Sequence, residues 1–199
     1  MSETTIAIGI WDGVEELDFV GPYEVLTAWS GYANGDGNGD GIRVLTVAEK
    51  GDEIRCAHGL RVVPDATWDD VGEVDVVLLP GGNTGGLVGD ERVLERVREQ
   101  AKRGALMTSV CTGALVYAAA GLLDGREATT HWGAIDRLRS YDNVDVKPEA
   151  RFVDTGEVIT AAGVSAGIDM ALHLVARLDS VERAREVRRY IQYDPEPPV

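Results

Sequence analysis

The stretch Ala105-Leu-Met-Thr-Ser-Val-Cys111-Thr-Gly-Ala-Leu-Val-Tyr-Ala-Ala-Ala120 changes hydrophobic period at its one cysteine, and that change restricts the fold more than any other feature of the chain. Up to Cys111 the run is continuous and of strand length; from Gly113 it continues as an Ala-rich helix closed by Gly121. A buried strand that turns directly into a helix at a nucleophilic residue has the form of a nucleophile elbow. Cys111 is then expected beside a helix N-terminus, where amide N–H groups without partners favour a thiolate and lower the cysteine pKa. The competing reading is an inert core cysteine, because free cysteines are among the most buried residue types.

The remaining elements alternate. Thr5–Ile10 reads as a first strand, Gly21-Pro22 as the opening of a helix through Leu26 and Trp29, and Ile42–Ala48 as a second strand. Between the first strand and that helix, Asp12–Asp18 reads as a strand-end loop carrying carboxylates. The Gly-, Asn- and Asp-rich residues Gly31–Gly41 read as a mobile surface loop. Cys56–Pro64 is expected to form a hairpin arm, Asp65–Trp68 to begin a helical turn, and Val74–Leu79 to be a buried parallel strand ending in Pro80-Gly81-Gly82-Asn83. Gly85-Gly86 looks like loop punctuation, and Asp90 caps a charged helix to about Arg103. Thr129–Trp132 leads to a helix over Ile135–Ser140. Short strands follow at Val144–Val146, Phe152-Val153 and Val158–Ala161, then helices over Ser165–Leu178 and Val181–Tyr190 and a Pro-rich tail. This alternation predicts a single α/β domain over residues 1–199, with a mostly parallel sheet, helices on both faces, and a site beyond the carboxyl ends of the strands.

Composition narrows the partners. The formal net charge is −15, with Lys50, Lys102 and Lys147 the only lysines, so the surface repels nucleic acid and anionic lipid. An acidic, lysine-poor surface is also what a halophilic source would select, since salt screens the self-repulsion. No apolar run reaches the length of a membrane span and the N-terminus does not read as a signal peptide, so a cytoplasmic protein is expected. Cys56 and Cys111 show neither disulfide nor metal-ligand spacing, and no metal is expected.

Asp18 is the candidate acid/base partner of Cys111. Its neighbours Leu17 and Phe19 pull it inward, and a desolvated carboxyl has a raised pKa and holds a proton to deliver. Gly81 and Gly82 allow backbone amides to approach a substrate as oxyanion-type donors. His131 could assist the thiol, although a lone histidine after a strand is more often structural. His58, His173 and Cys56 are expected to be ordinary, and Asp169 to sit in the favourable first turn of its helix.

The motifs Pro80-Gly-Gly-Asn83, Ser109-Val-Cys-Thr-Gly113, Ala119-Ala-Gly-Leu-Leu-Asp-Gly125, Thr129-Thr-His-Trp132 and Ala162-Gly163, with Ala166-Gly-Ile-Asp169, resemble the DJ-1/PfpI superfamily. Leu17-Asp-Phe-Val-Gly-Pro22 and Gln192–Val199 extend the likeness over nearly the whole chain, nearest to its isocyanide hydratase-like branch, which is shared with AraC-type regulators. The resemblance implies a homodimeric, flavodoxin-like three-layer sandwich without metal or organic cofactor, acting on a small electrophilic substrate. Cys111 would attack an isocyanide carbon to give a thioimidate that water hydrolyses to an N-formamide, making the chain a cysteine-dependent hydro-lyase. Asp18 would handle the proton and water steps, and Thr112, Gly82, Gly163, Val164 and His131 would line the site. The chain departs from the hydratase pattern in the longer loop Gly31–Gly41 and in Ala161-Ala162, where the hydratases have glycines. AraC-type relatives carry a C-terminal DNA-binding domain, for which no residues follow Tyr190, so a freestanding enzyme is expected. The alternatives are a glyoxalase or deglycase acting on small carbonyls and a non-enzymatic ligand-binding or stress-response module.

Overall fold

The apolar runs of the sequence lie side by side in one sheet, and the cysteine that interrupts the longest of them sits at its carboxyl edge. A computed structural model describes residues 3–32 and 41–196. The strands are β1 (Thr4–Gly9), β2 (Ile42–Ala48), β3 (Ile54–Arg55), β4 (Arg61–Val62), β5 (Ala66–Thr67), β6 (Val76–Leu79), β7 (Leu106–Val110), β8 (Glu127–Ala128), β9 (Asp145–Val146), β10 (Phe152–Asp154) and β11 (Val158–Ala161). The α-helices are α1 (Glu16–Thr27), α2 (Gly85–Val88), α3 (Glu91–Lys102), α4 (Gly113–Ala119), α5 (Ile135–Arg139), α6 (Ala166–Leu178) and α7 (Val181–Tyr190). A π-helical turn, Ala28–Tyr32, extends α1, and a 3-10 turn, Trp132–Ala134, precedes α5.

Among the described residues, seven strands form the sheet in the order β10-β11-β7-β6-β1-β2-β5, parallel throughout except for the antiparallel edge pair β10 and β11. Side chains alternate between its faces, so Ile6, Ile8, Val76 and Leu78 pack with α1 and α6, while Ala7, Val77, Leu79 and Met107 pack with α3 and α4. Helices cover both faces, which is why these strands read as continuous apolar runs rather than alternating ones. Tyr117 of α4 is fully buried in the second layer, and its hydroxyl donates to the Thr108 carbonyl at 2.8 Å. This is the three-layer α/β sandwich with a mostly parallel sheet that the alternation of elements implies.

Three local readings are corrected. α1 begins at Glu16 rather than at Gly21-Pro22, because the preceding chain is pinned to the glycine loop after β6. The Glu15 amide donates to the Gly81 carbonyl at 3.0 Å and Val14 bridges Gly82. Asp18 therefore lies in the first turn of a helix instead of a loop, and Pro22 lies inside that helix, where it offers no N–H to the Asp18 carbonyl. Asp65–Trp68 does not start a helix: the Asp65 carboxylate accepts from the Thr46 amide at 2.8 Å and its hydroxyl at 2.7 Å, which draws Ala66-Thr67 alongside β2 as an edge strand. Gly85-Gly86 opens the short helix α2 rather than a loop. Of the expected loop Gly31–Gly41, residues 33–40 lie outside the described residues, while Gly31 and Tyr32 belong to the π-helical turn.

The elbow depends on a missing side chain. A Cβ on Gly113 would stand 2.1 Å from the Leu79 carbonyl oxygen and 2.6 Å from that of Pro80, both backbone atoms that cannot move without breaking the sheet edge. Gly113→Ala is accordingly expected to lower unfolding free energy by about 3 kcal/mol or more, the upper range for forcing extra volume into a packed interior. Chemical denaturation measures this. A loss under about 1 kcal/mol would mean that α4 can pack further from β6 than described.

Candidate active site

Cys111 follows the last residue of β7 and adopts φ +58°, a left-handed conformation that is costly for a residue with a Cβ. Neighbouring chain holds it there from both sides. The Cys111 amide donates to the carbonyls of Ala161 and Ala162 at 3.1 and 3.0 Å, and the Thr130 hydroxyl donates to the Cys111 carbonyl at 2.7 Å. With its backbone fixed, the side chain turns off the end of the strand as a nucleophile elbow requires, and it is 7% exposed.

Asp18 meets it from α1. This carboxyl is fully buried; Oδ2 accepts from the Gly81 amide at 2.8 Å, while Oδ1 is buried without a conventional hydrogen bond. The carboxyl interacts with the Cys111 side chain and with the Val164 amide. Gly81 must be glycine for this approach, since a Cβ there would lie 2.7 Å from Asp18 Oδ2 and 2.7 Å from the Thr112 amide nitrogen. Thr112 ties the elbow to the same loop: the Gly82 amide donates to its Oγ1 at 3.1 Å, and Oγ1 lies 3.1 Å from the Gly82 carbonyl. The expected oxyanion donors are thus engaged at rest, Gly81 with Asp18 and Gly82 with Thr112. The amides that reach the sulfur are those of Thr112 and Val164.

Val164 occupies φ +48°, a genuine outlier for a β-branched residue and worth about 1–3 kcal/mol of strain. Beside it, the His131 ring packs on Gly163 so closely that a Cβ there would stand 2.1 Å from His131 Cδ2. His131 Nδ1 accepts from the Gly133 amide at 3.1 Å, so the ring caps its own 3-10 turn and forms a wall of the site. His58 Nδ1 lies 3.3 Å from the Glu15 carboxylate and 3.0 Å from that of Glu16, and His173 Nε2 lies 2.7 Å from that of Asp154. Cys56 is buried in the hairpin arm, where burial pushes its thiol up. Among the described residues, Glu15, Glu16 and His58 could offer three ligand atoms within 4.8 Å of one another, a group that contains neither Cys111 nor Asp18.

The electrostatics reverse one expectation and meet another. Burial raises the Asp18 carboxyl to about 6, as its apolar flanks suggest. Burial, then the charge of Asp18, pushes the Cys111 thiol up to about 12, where the helix start was expected to lower it. The helix-end effect is about 0.3–1 kcal/mol. Desolvation of a sulfur anion beside a carboxylate exceeds that, and the Thr112 and Val164 amides offset only part of it. At neutral pH the pair therefore holds one proton on sulfur and one negative charge on Asp18, and the thiolate forms when the carboxylate takes that proton.

The family follows from the whole set. A family model described as the DJ-1/PfpI family matches residues 4–177. The chain belongs to the DJ-1/PfpI family. An isonitrile hydratase from Pseudomonas putida is 38% identical over 93% of this chain and 76% of its own length. The HTH-type transcriptional regulator GbdR of Pseudomonas aeruginosa is 30% identical over 75% of this chain and 41% of the regulator. The crystal structure of a THiJ/PfpI family protein from Pseudomonas syringae superposes with a TM-score of 0.87 at 33% identity, covering 100% of this chain and 78% of that one. The flavodoxin-like sandwich and its buried cysteine are thus those of a DJ-1/PfpI protein.

One contributor escaped the sequence reading. Thr130 was visible in the Thr-Thr-His-Trp motif, but nothing local links its hydroxyl to a carbonyl 19 residues earlier.

The shared proton gives the pair a distinguishing signature. Asp18→Asn removes the charge that raises the thiol, so the pH profile of Cys111 alkylation by iodoacetamide is expected to shift to lower pH. At pH 8 alkylation should be faster than in wild type by roughly tenfold, one pKa unit being tenfold in thiolate. An unchanged or slower rate would show that Asp18 does not face the sulfur.

Proposed function

We propose that this DJ-1/PfpI protein is a hydratase of isocyanides, using Cys111 as nucleophile and Asp18 as the group that carries the proton. The observation that carries the reading is the buried pair itself, a thiol and a carboxylate that hold one transferable proton between them. An isocyanide carbon needs a nucleophile and a proton at the same atom, and the pair offers both. Asp18 takes the thiol proton as sulfur attacks, then delivers it to the same carbon, giving the thioimidate R–N=CH–S–Cys111. Asp18 then takes a proton from water as the water oxygen adds to that carbon, and passes it to nitrogen, leaving R–NH–CH(OH)–S–Cys111, whose hydroxyl proton Asp18 takes next. Collapse breaks the C–S bond, releases the N-formamide and returns the proton to sulfur, so the sum is R–NC + H2O → R–NH–CHO. The Thr112 and Val164 amides stabilise negative charge on sulfur at its formation and departure. The similarity to an isonitrile hydratase supports this substrate class.

Turnover of an aromatic isocyanide to its formamide, followed in low and high salt, tests the reading. Wild type is expected to turn over, with losses of at least about 1000-fold in Cys111→Ala and about 100-fold in Asp18→Asn, the ordinary scale for losing a nucleophile and an acid/base group. An inert wild type whose Cys111 alkylates normally would reject the substrate and direct assay to small aldehydes.

The match to a transcriptional regulator favours a second reading, a ligand-binding module without turnover. That reading expects Cys111→Ala to retain ligand binding and biological effect. Self-association is a further part of the proposal. Leu17 and Val20 on α1 and Leu60 and Val63 on the hairpin arm are 39%, 39%, 46% and 67% exposed, and the Glu16 carboxylate receives the Leu60 amide, joining the two elements. Light scattering is expected to give a homodimer that Leu60→Asp with Val63→Asp converts to monomer; an unaltered dimer would place the interface elsewhere.

A further inference from the structure

Arg151 lies on the turn before β10, outside the reacting pair, yet it grips the chain from Ala162 after β11 to Asp169 in α6 at three points. Its carbonyl accepts from the Ala162 amide at 3.0 Å, its Nε donates to Asp169 Oδ2 at 2.5 Å, and its Nη2 donates to Ser165 Oγ at 3.0 Å. Between those anchors sits Val164, whose left-handed backbone persists only because its surroundings over-determine it. Tyr193, just beyond α7, lies against both Arg151 and Asp169 and closes the bracket from outside. A half-exposed ion pair contributes little to stability by itself, so the geometry asks what else the arrangement does.

We propose that Arg151 is a positioning residue for the nucleophile: by bracketing Ala162–Asp169 it holds the strained Val164 amide against Cys111 and Asp18. A guanidinium suits this task because separate nitrogens serve Ser165 and Asp169 in a fixed fork, which a lysine ammonium cannot reproduce. Released from the bracket, Val164 relaxes toward ordinary φ, its amide turns from the sulfur, and the thiolate keeps only the Thr112 amide. The proposal rests on Cys111 acting as a nucleophile with Asp18, and not on the identity of the substrate.

The experiment follows iodoacetamide alkylation of Cys111 against pH by peptide mass mapping, which counts Cys56 separately, in wild type, Arg151→Met, Arg151→Lys, Ser165→Ala and Asp169→Asn. The groups that titrate around the sulfur are Asp18 and Glu15 from the α1 side, with His131 across Gly163; Asp169 and Tyr193 face Arg151. All but Asp169 are unchanged in every variant. Losing the Val164 amide moves the profile to higher pH, with alkylation at pH 8 slower by at least about threefold, the thiolate fraction changing tenfold per pKa unit. Arg151→Lys is expected between wild type and Arg151→Met.

Asp169→Asn separates bracket from charge. Removing a negative charge would by electrostatics alone move the profile to lower pH, whereas loosening the bracket moves it to higher pH. A shift to lower pH in Asp169→Asn, or profiles that coincide with wild type while melting temperatures fall, would overturn the proposal. Ser165→Ala and Arg151→Lys decide it should Arg151→Met fail to fold. A wild-type Cys111 that stays unmodified even at the alkaline end of the profile, where the thiol begins to ionise, would overturn the nucleophile and this proposal together, while missing isocyanide turnover with normal alkylation bears on the substrate alone.

Discussion

A thiol keeps its proton beside an ionised carboxylate in a space that solvent barely reaches, and the rest of the site exists to maintain that condition. Asp18 is fully buried and Cys111 nearly so, and a single negative charge there is tolerated because backbone amides surround it. Gly81 points its amide at the carboxylate and offers no side chain to obstruct it. Thr112 and Val164 turn their amides to the sulfur. A second ionised group beside the first would repel it in a poorly solvated interior, so the pair holds one negative charge rather than two.

Such an arrangement requires backbone that ordinary sequence would not choose. Cys111 and Val164 both hold left-handed φ values, one at the end of β7 and the other just past the end of the neighbouring β11. Each is kept there by hydrogen bonds from chain outside its own element: Thr130 and the Ala161–Ala162 carbonyls for Cys111, the Arg151 contacts for the turn around Val164. The strain is sustained by the burial of two apolar layers, one on each face of the sheet, which supply far more stabilisation than either turn costs.

What could be read in the sequence was what depends on neighbours along the chain. The change of period at Cys111 gave the elbow, the apolar flanks of Asp18 gave its burial, and the cap Asp90 marked the start of α3. Contacts across the fold were not legible. Asp65 looked like a helix start until Thr46 drew it into the sheet, and Pro22 looked like a first-turn proline until the Gly81 carbonyl fixed the chain at Glu15. The thiol is the sharpest case. A helix end is a local feature and argues for a low pKa, whereas desolvation and a carboxylate 93 positions earlier in the numbering are properties of the folded interior and prevail.

The order in which the site is strung along the chain has a consequence for how the pair of Asp18 and Cys111 comes together. Asp18, Gly81, Cys111 and Val164 come from the segments after β1, β6, β7 and β11, and none of them meets another without the parallel sheet that aligns those strand ends. Parallel pairing closes long loops before any contact rewards them, so these pieces assemble late and together. A nascent or partly opened chain consequently carries a plain surface thiol with the chemistry of free cysteine. The buried pair arrives as a property of the completed sheet, all at once, and is lost the same way.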